Sequence, residues 1–120
     1  MAIEKVSIMA KYQATEELAR DISQRIVDFC QPERIILFGS LARGSVHPEA
    51  DIDLLVVWDS RPPMDVKERY AAIRNAIGSA PVAIDLIPYT SGEFDAAMRN
   101  PLSFTAQVAR EGRVLYERLH

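Results

Sequence analysis

Apolar residues recur at helical spacing early in the chain. Leu18, Ile22, Ile26 and Phe29 follow Thr15, a good N-cap, with Glu16 and Glu17 in the favoured first turn. The pattern predicts an amphipathic helix over about 15–30, stopped by Pro32. Arg34 to Phe38 then reads as a short apolar strand, and Gly39 to Gly44 as a turn entering a short helix. Val46 to Ala50, with Pro48, reads as loop. Asp51 to Trp58 reads as a strong strand. Asp65 caps a second helix over about 65–77, with Val66, Tyr70, Ile73 and Ile77 on one face and Gly78 as its stop. Val82 to Pro88 is a third strand. Thr90 or Ser91 caps a helix to about 99, Asn100-Pro101 breaks it, and a further helix runs to about Glu111, closed by Gly112. Arg113 to Tyr116 is a last short strand. The order α-β-α-β-α-β-α-α-β implies an α/β (α+β) fold, a small mixed sheet with helices packed against it. Residues 1–12 are poorly patterned and read as a mobile arm.

Length and composition narrow this picture only a little. The 120 residues fit one domain, 1–120, without repeat or linker, and 48% hydrophobic with 26% charged residues is ordinary for a globular protein. The net charge of -3 argues against a broad nucleic-acid footprint, which needs a basic face, but not against one nucleotide bound through metal ions. Cys30 is the only cysteine, so no intrachain disulfide can form, and it reads as a small buried residue rather than a nucleophile. No stretch resembles a signal peptide or membrane span, so a cytoplasmic protein with no membrane partner is expected. His47 has no metal-spaced companion and reads as solvent-facing. Phe38 and Trp58 read as core, and Tyr12, Tyr70, Tyr89 and Tyr116 as packed or half-exposed.

The chemistry concentrates in one stretch. Strand alternation puts Asp51, Asp53, Leu55 and Val57 on one face, with the two acids about 6.6 Å apart along the backbone at about 3.3 Å per residue. Carboxylates on an apolar strand are costly unless their charge is offset, and a divalent cation is the natural offset. Asp85, in Val82-Ala83-Ile84-Asp85-Leu86-Ile87, is a third acid among apolar neighbours. If its strand lies beside the second, three carboxylates meet; the rival reading pairs it with an arginine. Oxygen-only ligands suit Mg²⁺ or Mn²⁺ rather than zinc. Upstream, Gly39 permits close backbone approach, Ser40 and neighbouring amides can hold a phosphate, and Arg43 can add a charge-assisted contact. The rival here is a tight turn with a helix cap. Together the parts suit a nucleoside triphosphate bound with metals.

At these residues the chain resembles the nucleotidyltransferase superfamily related to DNA polymerase beta. The shared pattern is Gly-Ser, ten residues, then Asp-x-Asp; here Gly39-Ser40, Leu41 to Ala50, and Asp51-Ile52-Asp53. Ala42-Arg43-Gly44 and the Asp-Ile-Asp-Leu-Leu-Val strand look most like the minimal nucleotidyltransferase branch, and Asp85 matches that family's third acid. The resemblance implies that Asp51 and Asp53 ligate two Mg²⁺ ions and that Asp85 ligates one and helps activate the attacking hydroxyl. It implies transfer of AMP from ATP, with pyrophosphate released. Minimal members often act as antitoxins that add AMP to a tyrosine of a small helical HEPN-type toxin, so a hetero-complex with such a protein is expected, or a homodimer that completes the site. The rivals are an antitoxin that acts by occlusion alone, and a small-molecule adenylyltransferase of the aminoglycoside-modifying type.

Overall fold

The computed structural model describes residues 15–44 and 51–119. The expected arm over 1–12, Tyr12, and the Val46 to Ala50 loop with His47 lie outside the described residues. Among the described residues, five helices and four strands follow in the expected order: α1 (Glu16–Cys30), β1 (Arg34–Phe38), α2 (Gly39–Ala42), β2 (Ile52–Val57), α3 (Val66–Ile77), β3 (Ile84–Tyr89), α4 (Ser91–Met98), α5 (Phe104–Glu111) and β4 (Arg113–Glu117). The strands form one mixed sheet in the order β3-β2-β1-β4. β1 is antiparallel to β2 and to β4, whereas β2 and β3 are parallel, which requires the crossover that α3 provides.

Every described helix except the short α2 starts where a side chain satisfies its orphan amides. Thr15 accepts from the Leu18 amide in α1; Asp65 with Glu68, and Thr90 with Glu93, form capping boxes on α3 and α4. α1 ends on Gln31, in the left-handed conformation at φ 47°, one residue before Pro32. Strand alternation then splits the core into two layers. Ile35, Leu37, Ile52, Leu54, Val56, Ile84 and Leu86 face α1 and α3, whereas Ile36, Leu55 and Val57 face Phe94 of α4 and Val108 of α5. No helix among the described residues is long and apolar enough to cross a membrane.

Three packing expectations change. Phe29 is 51% exposed, its ring meeting Trp58 edge-on at 5.7 Å, and Trp58 itself is only partly buried against the first layer. On α3, Val66 and Tyr70 are exposed, and the buried stripe is Arg69, Ile73 and Ile77. Ile73 and Ile77 keep their expected place, and one turn before them the inward position belongs to Arg69, whose Nη1 donates to the Met64 carbonyl at 2.7 Å and Nη2 to Glu93 Oε1 at 2.8 Å. A buried arginine is tolerated when its charge is paired and hydrogen-bonded. Gly112 does close α5, as expected, but not through a left-handed turn, since its φ is -80°. It is needed for space. A Cβ there would fall 2.6 Å from Ile36 Cγ2 and 2.7 Å from the Leu37 carbonyl oxygen. Gly112→Ala is therefore expected to destabilise the fold by about 2 kcal/mol, in the range of core overpacking, measured by urea denaturation.

Candidate active site

The parallel register of β2 and β3 sets Asp53 directly opposite Asp85. Both acids sit near the starts of their strands, and the antiparallel register of β1 sets Phe38 against Asp53 on the other side. β3 begins at Ile84, two residues later than expected, so Asp85 is its second residue and is exposed rather than enclosed. Its partner is a carboxylate and not an arginine. The Asp53 and Asp85 side chains share a hydrogen bond, which needs a proton on one of them. Burial, that hydrogen bond, and the charges of Asp85 and Asp51 push the Asp53 carboxyl up to about 6, against a pull downward from Arg43. Asp51 precedes β2 and acts on Asp53 through charge.

The Gly-Ser turn lies against the same carboxylate. Gly39 has φ 76°, and a Cβ on it would lie 2.1 Å from Asp53 Oδ2. The backbone of the turn therefore occupies space that only glycine leaves open. α2 starts at Gly39, and Phe38, its N-cap residue, offers no side-chain hydrogen bond to the first-turn amides. Arg43 closes this short helix, with its amide directed at the Ser40 and Gly39 carbonyls and its side chain exposed. Of the six residues singled out by sequence, three meet through two pairings, Asp53 with Asp85 across the sheet and Asp53 with Gly39 across the turn, and Asp51 and Arg43 act on Asp53 through charge.

Among the described residues, no three acidic, histidine or cysteine side chains close around one point as a finished cation cage. What is present is a two-carboxylate centre with Asp51 in its field. Its chemistry fits a hard divalent cation: the donors are all oxygen, and like charges crowd enough to push the Asp53 carboxyl up to about 6. Sequence periodicity did not single out a cavity of about 200 Å³ beside the turn, lined by Phe38, Gly39, Arg43, Phe104, Gln107, Val108 and Glu111. Its α5 residues recur at one helical face, 104, 107, 108 and 111, but only the tertiary contact of α5 with β1 shows that this face meets Gly39.

The crowding has a measurable consequence. A carboxyl whose pKa rises on folding stabilises the fold below its unfolded value of 3.8, and that contribution is lost as pH rises through about 6. Metal-free protein at pH 7.5 therefore carries a strain that Asp53→Asn removes, since the amide can donate to Asp85 as the shared proton does. A shift of this size corresponds to roughly 3 kcal/mol before screening, and partial solvent exposure reduces the expected gain to about 1 kcal/mol. Thermal denaturation in chelator should show the variant more stable at pH 7.5 and the difference closing below about pH 4. Millimolar Mg²⁺ should stabilise the wild type and not the variant.

A family model described as a nucleotidyltransferase domain matches residues 16–115. Two proteins of Methanocaldococcus jannaschii, each named as a candidate protein adenylyltransferase, are 36% identical to this chain. One match runs over 58 residues, 48% of this chain and 57% of that protein; the other runs over 84 residues, 70% of this chain and 78% of that protein. The chain thus covers less than two thirds of the length of the first of these relatives. The fold is also similar to the crystal structure of a candidate nucleotidyltransferase from Sulfolobus solfataricus, with a TM-score of 0.59 at 25% identity over 85% of this chain and 79% of that one. The family match extends from α1 into β4 and takes in both acid-bearing strands and the Gly-Ser turn, so the chain belongs to the nucleotidyltransferase domain family.

Proposed function

We propose that the protein is a Mg²⁺-dependent nucleotidyltransferase that moves AMP from ATP to a hydroxyl of another protein. The observation that carries this reading is the Asp53–Asp85 pair, held against a glycine turn whose helix amides have no side-chain cap. The names of the two archaeal relatives favour a protein acceptor. The acceptor is a tyrosine of a small helical HEPN-type toxin, which makes this chain the antitoxin; that step rests on the resemblance of its motif to minimal nucleotidyltransferases.

Asp51, Asp53 and Asp85 would hold the divalent ions, which when bound supply positive charge to the phosphate oxygens. The chain's own groups do the rest. The amides of the turn and the Ser40 hydroxyl bind the terminal phosphates, and Arg43 adds charge beside them. The acceptor hydroxyl oxygen bonds to the α-phosphorus as the bond from that phosphorus to the bridging oxygen of pyrophosphate breaks. An Asp85 carboxylate oxygen takes the hydroxyl proton, and pyrophosphate leaves. Asp53, centred between Asp85 and Gly39, fixes where the α-phosphate must sit.

The test incubates the protein with α-labelled ATP, Mg²⁺ and the protein encoded by the adjacent reading frame. Label should appear on a tyrosine of that neighbour. Absence of label, with wild type and Asp53→Ala alike, would sink the proposal. Protection of cells by an Asp51→Ala/Asp53→Ala variant as good as wild type would favour occlusion instead.

A further inference from the structure

The connection between α4 and α5 holds an apolar side chain out in water beside the acid centre. Asn100-Pro101 ends α4, since a residue before proline disfavours helical backbone. The chain then turns at once into α5 and is braced there. The Leu102 amide donates to Asn100 Oδ1 at 3.0 Å, the Ser103 amide to the Asn100 carbonyl at 3.0 Å, the Ser103 hydroxyl to the Ala97 carbonyl at 2.8 Å, and Arg110 Nη1 to the Pro101 carbonyl at 2.9 Å. On this fixed segment Leu102 is 91% exposed, and Met98 before it and Phe104 after it are exposed as well. A scattered surface leucine needs no explanation, but large apolar groups gathered on one braced segment do. The Phe104 ring meets Phe38 edge to face at 5.8 Å, and Phe38 is the β1 residue paired with Asp53. Leu102 is two residues from Phe104, at most about 7 Å of chain. Asp53 and Asp85 point to the face of the sheet that α4 and α5 cover, because Ile52, Leu54, Ile84 and Leu86 fill the other.

Resting on the proposed transfer to a protein hydroxyl, we infer that Leu102 is the apolar anchor on which the acceptor protein docks. A protein that brings a hydroxyl to Asp85 approaches this end of the sheet, and the 99–103 segment stands at its rim. A leucine held in place by its own loop loses little freedom on entering a partner's cleft, so its burial is realised as affinity. The charge around it is positive. Arg99, the C-cap of α4, and Arg110, tied to the Pro101 carbonyl, are both exposed, whereas Asp95, one turn before Arg99, lines a separate cavity with Arg34 and Arg118. This basic rim belongs to a chain whose net charge is -3. The partner that fits has an apolar cleft bordered by Asp or Glu beside its acceptor hydroxyl. A nucleic-acid acceptor binds through phosphate contacts and base stacking, and would leave Leu102 with nothing to bury it.

The test measures binding and AMP transfer with the full chain, ATP, Mg²⁺ and the purified protein of the adjacent reading frame. Leu102→Asp should weaken binding of that protein at least about tenfold and raise its KM to match, with kcat and ATP affinity unchanged, since the acids and the turn stay in place. Leu102→Met, which keeps the apolar surface, should retain the wild-type KM. Arg99→Glu should slow association, most strongly at low salt. Wild-type affinity in Leu102→Asp would overturn the docking site, as would label passing to RNA with no response to that substitution. Tight binding without label in the wild type would sink the transfer reading instead, and loss of that binding in Leu102→Asp would still uphold the surface. Failure of the wild type either to bind or to label the neighbour would overturn both.

Discussion

Asp53→Ala is expected to lower AMP transfer by at least about 1,000-fold at saturating ATP and Mg²⁺, a loss of about 4 kcal/mol of transition-state stabilisation. Asp53 is linked to Asp85, Asp51, Arg43 and Gly39. It shares a hydrogen bond with Asp85, feels the charges of Asp51 and Arg43, and has the Gly39 backbone against its carboxylate. In the proposed reaction, removing it takes away a cation ligand and also the reference point for the α-phosphate. Asp53→Asn separates these effects from folding. It keeps the shape and the hydrogen bond to Asp85 but not the negative charge, so stability at pH 7.5 should rise while transfer falls nearly as far as with alanine. Opposite movement of the two quantities is the signature of a residue retained for chemistry at a cost to the fold. Initial rates of label transfer, beside denaturation curves of the same preparations, decide it. More than a tenth of wild-type activity in Asp53→Asn would rule out the charge of this carboxylate as a central element of the reaction.

How far the sequence reaches can be seen at individual residues. Asp53 was legible because alternation along β2 depends only on neighbours in the chain, and its cost on an apolar strand is visible without coordinates. Meeting Asp85 depended on a pairing that the element order implies: two strands joined by a helix favour the parallel arrangement seen in β2 and β3. That register also shows why the rival arginine partner for Asp85 fails. The burial of Arg69 on α3 was not legible, since its partners are Met64 and Glu93, one of them 24 residues away in the chain. Phe29 likewise reads as part of a helical stripe, yet it stays half-exposed at the edge of the core with its ring against Trp58. Gly112 was legible as a helix end, but the spatial demand for glycine comes from Ile36 and Leu37, on a strand formed far earlier in the chain. The cavity beside Gly39 needed the contact of α5 with β1, which no local pattern encodes.

Gly39→Ala is expected to lower both activity and stability, and a double-mutant cycle can separate its two causes. The backbone at φ 76° costs an L-residue roughly 1–2 kcal/mol wherever it occurs. The second cause is local. A Cβ at 2.1 Å from Asp53 Oδ2 and 3.0 Å from its Cγ cannot coexist with the carboxylate in place, so either the turn or Asp53 must move. Movement of Asp53 breaks its hydrogen bond with Asp85 and displaces the acid from the α-phosphate, and misplacement of a reacting group by about 1 Å can cost about 100-fold in rate. Transfer should therefore fall at least about 100-fold. In an Asp53→Ala background the clashing atoms are gone and only the Asp53 Cβ remains, at 3.5 Å, an ordinary contact. There Gly39→Ala should cost only the backbone strain, leaving a coupling of about 1–3 kcal/mol between the two positions in urea denaturation. Equal cost in both backgrounds would mean that glycine is needed for its dihedral angle alone. A measurable coupling would show that the turn and the acid are built to fit each other, so that the element proposed to hold the phosphate and the one proposed to hold the cation cannot be altered independently.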